Sequence, residues 1–183
     1  MPRRKLGPRH IALAGLLSAV ALVFLLIAGV IPSGWTGVTA VAGLAVGVAI
    51  SAAGYLSGLF CYLVSGLLAL LLVPAKQVAV LYLCLFGIYP LIKSKLERLK
   101  VRALEYVLKL AYFNLILVAL YHLAFALLFA RIGEGLNPAL PLLPLLMLSG
   151  SVIFLFYDFA FSRVMSLLQA RLVPQLRRRF SDC

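Results

Sequence analysis

Residues 35–73 contain no charged side chain, and this uninterrupted stretch limits the possible folds more than any other feature of the chain. As a single helix rising about 1.5 Å per residue, it would be nearly 60 Å long. That is about twice the thickness of the hydrocarbon core of a bilayer. We therefore expect two membrane-spanning helices, the second and third of the chain, joined by a turn near residues 51–54.

The composition extends this expectation to the whole chain. Of the 183 residues, 64% are hydrophobic and only 12% are charged, whereas roughly 25% charged residues is usual in soluble proteins. A soluble domain of this size cannot cover so much apolar surface, so the soluble, disordered and fibrous classes are excluded. At about 20 residues per span, the prediction is an all-α polytopic membrane protein: one transmembrane domain over residues 1–183 with six helices.

The remaining spans follow from the positions of prolines, glycines and charges. The first span covers residues 10–31 and ends before Pro32, because proline stops a helix. The other predicted spans cover residues 77–92, 110–130 and 138 to beyond 157.

The most charged segment, residues 93–109, lies between the fourth and fifth spans. Apolar residues recur between its charges at helical spacing. This pattern predicts an amphipathic helix at the membrane surface. A plain solvated helical loop is the alternative.

Basic residues are distributed unequally between the two sides of the predicted bundle. All but two of the 17 Lys and Arg residues fall in the N-terminus (1–9), in segment 93–109, or from Arg163 through the basic tail (171–183). The two exceptions are Lys76 and Arg131. Because basic loops stay in the cytoplasm, we expect a multi-pass protein of the plasma membrane, the inner membrane in a bacterium, with both termini in the cytoplasm.

Glycines in the second and third spans form two GxxxG spacings, Gly43 with Gly47 and Gly54 with Gly58. Small residues at this spacing let helix backbones approach closely in lipid. They indicate tight packing between helices 2 and 3; a homodimer face is the alternative.

The usual signatures of catalysis and of cofactor binding are not present in the sequence. There is no GxSxG, no HExxH, no phosphate-binding loop and no adjacent pair of acids. The three cysteines (Cys61, Cys84, Cys183) have no metal-ligand spacing. We therefore predict no enzyme, no catalytic residue, no cofactor, no metal and no nucleic-acid partner. The net charge of +12 reflects the loops that face the cytoplasm.

A solute site is expected in the outer half of the bundle, where the polar residues outside the basic loops are found. Lys76 and Arg131 are the cations of that side and suit a carboxylate or phosphate, so an anionic or aromatic solute is favoured. The full set of candidate ligand-binding residues is Trp35, Lys76, Gln77, Tyr121, His122 and Arg131. Trp35 is also explained as an interfacial anchor, and Tyr121 and His122 as partners in hydrogen bonds between helices.

Asp158 lies about 20 residues into the sixth helix, near its cytoplasmic end. An unpaired charge there is costly, so Asp158 is expected to form a structural ion pair with Arg163 or with another basic residue of the inner side.

Several of these features resemble the substrate-binding S component of energy-coupling factor (ECF) transporters. Residues 11–19 resemble the small-residue first helix of that family, whose AxxxA spacing is represented here by Ala14 with Ser18 and Gly15 with Ala19. Residues 157–177 are similar to the family's last helix and basic tail. The resemblance implies a vitamin-like solute bound from the outer face, with energy supplied by separate ATPase and transmembrane subunits.

The band of small residues on helix 1 (Ala14, Gly15, Ser18, Ala19) is predicted to dock such a larger transmembrane subunit, because a flat band gains more from a close helix than from acyl chains. Packing inside the bundle against helix 6 is the alternative. Two rival functions also remain open: a small membrane scaffold or assembly factor, and a membrane enzyme that acts on lipid.

Overall fold

The computed structural model describes residues 7–97, 102–132 and 142–181, with the side chains of 7–97, 106–122 and 147–171. These residues are almost entirely helical and contain no strand. Five helices among them are long and apolar enough to cross a membrane, and residues 106–122 form a shorter apolar helical stretch. Large apolar side chains such as Leu71 and Phe156 are exposed on the helices, at 77% and 72%. The chain is a polytopic, all-α membrane protein, as the sequence predicts.

The first three spans are α1 (Pro8–Val30), α2 (Trp35–Ala53) and α3 (Tyr55–Leu72). Gly54 joins α2 to α3 with φ 99° and ψ 172°, a conformation that is essentially restricted to glycine. The predicted turn near residues 51–54 is thereby confirmed. Pro8 begins α1, where its missing N–H costs no hydrogen bond.

The fourth span changes its helical hydrogen-bond pattern partway along. It begins as α4 (Lys76–Leu81), continues as a π-helical turn (Tyr82–Phe86), and ends as α5 (Tyr89–Leu96). The amide of Gly87 donates to the carbonyl of Tyr82 at 2.7 Å, five residues back. A π turn of this kind adds one residue to the helical turn and is frequent at functional sites.

The last two helices are α6 (Arg102–Ile132) and α7 (Leu142–Ser181). The predicted amphipathic segment is divided between two helices: residues 93–96 end α5, and residues 102–109 begin α6, earlier than the predicted start at residue 110. The apolar residues of 102–109 keep helical spacing into the fifth span, and α6 includes both. The predicted start of the sixth span at residue 138 lies outside the described residues.

The chain forms two compact units. The first comprises the described residues of 1–98 and 161–183 and is held together by close approaches at glycine. Gly58 of α3 packs against Ile50 of α2, which confirms the predicted contact between these helices. Gly43 and Gly47 of α2 have other neighbours. A Cβ at Gly43 would lie 2.5 Å from the carbonyl oxygen of Phe86, and one at Gly47 would lie 2.9 Å from Sδ of Met165.

The second unit comprises the described residues of 99–160, where α6 packs along the first part of α7. The rings of Phe113 and Phe154 stack with centroids 4.5 Å apart. Beside them, Nδ2 of Asn114 donates to Oγ of Ser151 at 3.1 Å. Asn114 therefore forms the hydrogen bond between helices that is expected of an amide in lipid.

Candidate functional sites

The predicted solute-site residues fall into two groups that belong to different units. In the first unit, Trp35 begins α2, while Lys76 and Gln77 begin α4 and are exposed. Nζ of Lys76 donates to the carbonyl of Leu70 at 2.7 Å. Because that carbonyl belongs to the last turn of α3, Lys76 closes the connection between α3 and α4.

The second group lies on α6. The rings of Tyr121 and His122 meet edge to face, with centroids 5.8 Å apart. Arg131 belongs to the same helix, and its side chain lies outside the described residues. Lys76 and Gln77 are neighbours along the chain, and so are Tyr121 and His122.

A cluster of hydroxyl groups lies where α3 meets the π turn of the fourth span, with Ser65 and Tyr82 buried and Tyr62 half-buried. Oγ of Ser65 donates to the carbonyl of Cys61 at 2.7 Å. The hydroxyl of Tyr82 lies 2.7 Å from Oγ of Ser65. Since Ser65 gives its hydrogen to the carbonyl, the Tyr82 hydroxyl is the donor of the second bond. The hydroxyl of Tyr62 donates to the carbonyl of Leu83 within the π turn at 3.0 Å.

Sequence reasoning did not single out this hydroxyl cluster (Tyr62, Ser65 and Tyr82), because each member lies alone in an apolar run. One signal was present: Tyr62 and Ser65 stand three residues apart and so share a face of α3. The partner Tyr82 could not be found from spacing, because it lies on another span and its contact with Ser65 depends on how the two helices pack.

The band of small residues on α1 is divided by the structure. Ala14 and Ser18 are buried, and Oγ of Ser18 donates to the carbonyl of Ala14 at 2.7 Å and lies 3.3 Å from the carbonyl of Cys61. Gly15 and Ala19 are exposed, and a Cβ at Gly15 would meet nothing within 4 Å. Half of the band therefore packs against α3, and the other half faces outward.

Asp158 forms a buried ion pair with α6. Nζ of Lys109 lies 3.3 Å from Oδ2 of Asp158, and their side chains are 4% and 9% exposed. The same ammonium lies 5.6 Å from the centroid of the Tyr106 ring. The expectation of a basic partner for Asp158 is met by Lys109, and the pairing with Arg163 stays a prediction.

A cleft of about 160 Å³, lined by both polar and apolar side chains, opens in the first unit, where the ends of α2 and α5 meet α7. Its charged residues are Lys93 and Glu97, and Phe161 and Met165 contribute apolar surface. The sequence did not indicate it, because Lys93 was placed among the aqueous charges of segment 93–109. The remaining residues of the lining are Gly47, Ile50, Ser51, Pro90, Ser94, Ser162, Ser166 and Gln169.

Among the described residues, no three His, Cys, Asp or Glu side chains are close enough to hold a metal ion. Comparison with protein families, with characterised proteins and with solved structures finds no match to this chain. The function is therefore inferred from the residues of this chain alone.

Proposed function

We propose that this protein is an integral membrane subunit that binds a small solute, of the kind represented by the S components of ECF transporters. The observation that carries the proposal is the π turn of the fourth span at Tyr82–Phe86, because π turns within helices are frequent at functional sites.

The π turn lies at the depth that a transported solute must reach. Tyr82–Phe86 is six to ten residues from the start of α4 at Lys76, or about 9–15 Å along the helix. This is close to the middle of a hydrocarbon core of about 30 Å. The hydroxyl cluster supplies polar groups at this depth.

In the proposed orientation both termini lie in the cytoplasm, so the start of α4 faces outward. The solute enters from this side, past Lys76 and Gln77 of the first unit. Lys76 is exposed there, where it attracts an anion before the solute reaches the interior.

A subunit of this kind needs a partner that supplies energy. We assign this contact to the outward half of the band on α1, Gly15 and Ala19, where a second helix can approach closely. Their exposure and the open space at Gly15 support this assignment. The partner is a larger transmembrane subunit carrying ATPases.

The solute is tested directly by releasing it from the purified protein. Protein extracted in mild detergent is denatured, and the small molecules set free are identified by mass spectrometry. We expect one anionic or aromatic compound at near-stoichiometric amount. The double variant Lys76→Ala with Arg131→Ala should lose it and keep its expression level. Retention of the compound by the double variant would contradict the site, and no released compound would contradict the function.

A membrane scaffold is the second candidate, and one observation favours it. The described hydroxyls of the cluster at the π turn all have protein partners, as in a rigid structural core. A scaffold would release no solute from the wild-type protein, so the same experiment separates the two functions.

A further inference from the structure

The cleft that contains Lys93 and Glu97 lies at the membrane boundary, at the opposite end of the fourth span from Lys76. Its residues on α2, from Gly47 to Ser51, belong to the last turns of a helix of 19 residues that starts at Trp35. Such a helix is about 28 Å long, so its end reaches the edge of the hydrocarbon core and the level of the lipid headgroups. Lys93 and Glu97 lie at the same level, at the end of α5.

Lys93 is the buried cation of this cleft. Its side chain is 7% exposed, and Nζ donates to Oγ of Ser162 at 2.6 Å. The rings of Tyr89 and Phe161 have their centroids 5.7 and 5.6 Å from the ammonium. Burying an ammonium costs several kcal/mol unless an anion and hydrogen bonds offset the loss of water.

The anion facing Lys93 in this structure is held loosely. Oε1 of Glu97 lies 3.6 Å from Nζ, longer than the roughly 2.7–2.9 Å of a strong charged hydrogen bond. The Glu97 side chain is 52% exposed at the end of its helix, so it can swing into water at little cost. An anion of better fit would displace it.

We propose that this cleft binds a phosphate group, with Lys93 as its counter-ion and Glu97 as the group that it displaces. Serine side chains line the cleft on all three helices, at Ser51, Ser94, Ser162 and Ser166. The hydroxyls of Ser51, Ser94 and Ser166 donate to carbonyls of their own helices in this structure, and a hydroxyl can rotate to donate to a phosphate oxygen instead. The volume of about 160 Å³ suits a group of headgroup size, since pockets for larger organic ligands measure about 300–1,000 Å³.

Two sources can supply this phosphate: an anionic phospholipid of the adjacent leaflet, or a soluble phosphate ester. Basic clefts between spanning helices at the membrane surface are a known way of holding lipid headgroups. The apolar lining at Ile50, Phe161 and Met165 offers a surface to the start of an acyl chain. Phospholipids occupy both leaflets, so this inference does not depend on the proposed function or orientation.

The test measures thermal unfolding of the full-length protein in detergent while one of three probes is added: phosphatidylglycerol, phosphatidylcholine or inorganic phosphate. We expect phosphatidylglycerol or inorganic phosphate to raise the midpoint, and phosphatidylcholine, whose phosphate is neutralised by its own choline, to raise it less. A response to phosphatidylglycerol alone assigns the site to lipid, and an equal response to inorganic phosphate assigns it to soluble esters. Equal responses to the two lipids without any to phosphate would overturn the proposal.

Two variants that should change the apparent affinity for the probe in opposite directions make the test specific. Lys93→Gln should weaken the apparent affinity about tenfold or more, because it removes a charged hydrogen bond. Glu97→Gln should strengthen it, because the competing carboxylate is gone. The matched control is Lys95→Gln: Lys95 is on the same helix but lies over the Tyr55 ring at 4.9 Å, away from the cleft lining, and its loss should leave the affinity within about twofold.

If Lys93→Gln does not fold, Glu97→Gln decides the matter. Tighter binding of the phosphate probe supports the proposal. Unchanged or weaker binding overturns it. An equal effect of Lys95→Gln and Lys93→Gln would also overturn it, since the lipid would then respond only to the general positive charge of the protein.

Discussion

Lys109 of α6 and Asp158 of α7 form an ion pair at 3.3 Å in which both side chains are buried. Each charge is offset by the other, so the pair joins the two helices that make up the second unit. Removing one partner leaves an uncompensated buried charge, which costs far more than the pair contributes when intact.

We therefore expect Asp158→Asn to reduce the free energy of unfolding by about 3–5 kcal/mol. The double variant Lys109→Met with Asp158→Leu should recover most of this loss, because apolar side chains of similar size replace both charges. Thermal unfolding in detergent measures both effects. A double-mutant cycle should give stronger coupling of Asp158 to Lys109 than to Arg163, and the reverse order would contradict this assignment.

The close approach of Gly43 to the π turn gives a second prediction. Gly43→Ala would place a methyl group 2.5 Å from the carbonyl oxygen of Phe86, so the backbone of one helix has to shift. Overpacking of this kind costs about 1–3 kcal/mol. The matched control is Gly37→Ala on the same helix, where an added Cβ meets nothing within 4 Å.

We expect the control to be neutral or slightly stabilising, since alanine favours a helix over glycine by up to about 1 kcal/mol. The two single variants are compared by their unfolding midpoints. Equal midpoints would show that α2 does not contact the fourth span at Gly43.

The hydroxyl cluster gives a third prediction. Tyr62→Phe removes the hydrogen bond to the Leu83 carbonyl and leaves the ring in place. A hydrogen bond between membrane helices contributes about 0.6–2 kcal/mol, so the loss of stability should be of this size. Amide hydrogen exchange should also rise, chiefly within Tyr82–Phe86, because the π turn loses one of its hydrogen bonds to α3. An increase spread evenly over the fourth span would argue against a local role for this bond.

The orientation of the chain is the fourth prediction. The distribution of basic residues along the sequence predicts that Cys183 lies in the cytoplasm and Lys76 outside. In intact cells, a cysteine introduced at Lys76 should react with an impermeant thiol reagent, and Cys183 should react only after the membrane is opened. Labelling of Cys183 in intact cells, without labelling at position 76, would reverse the orientation.

Some of this structure could be predicted from the sequence because it follows from bulk physics. An uncharged stretch of twice the bilayer thickness has to turn back, and Gly54 is a residue that permits the turn. Asp158 needs a cation in lipid for a similar reason. The choice of Lys109 could not be predicted, because it depends on the register in which α6 packs along α7.

The π turn and the cleft could not be predicted from the sequence, for a different reason. A π turn changes the direction of every side chain after it without any marker in residue type. The bond between Tyr82 and Ser65 depends on how α3 packs against the fourth span. Lys93 stands in a charged segment and was assigned to water, although α5 continues far enough to bury it against Tyr89 and Phe161.

The most direct test of the central claim, that this is the solute-binding subunit of a larger transporter, is co-purification with an ATPase. The wild-type protein, extracted from its own cells in mild detergent, should carry a stoichiometric partner that hydrolyses ATP. Gly15→Leu with Ala19→Leu should lose that activity and keep its unfolding midpoint, because both positions are exposed, while the control Gly37→Leu should retain it. A wild-type preparation without ATPase activity, or a double variant that keeps the ATPase, would contradict the account.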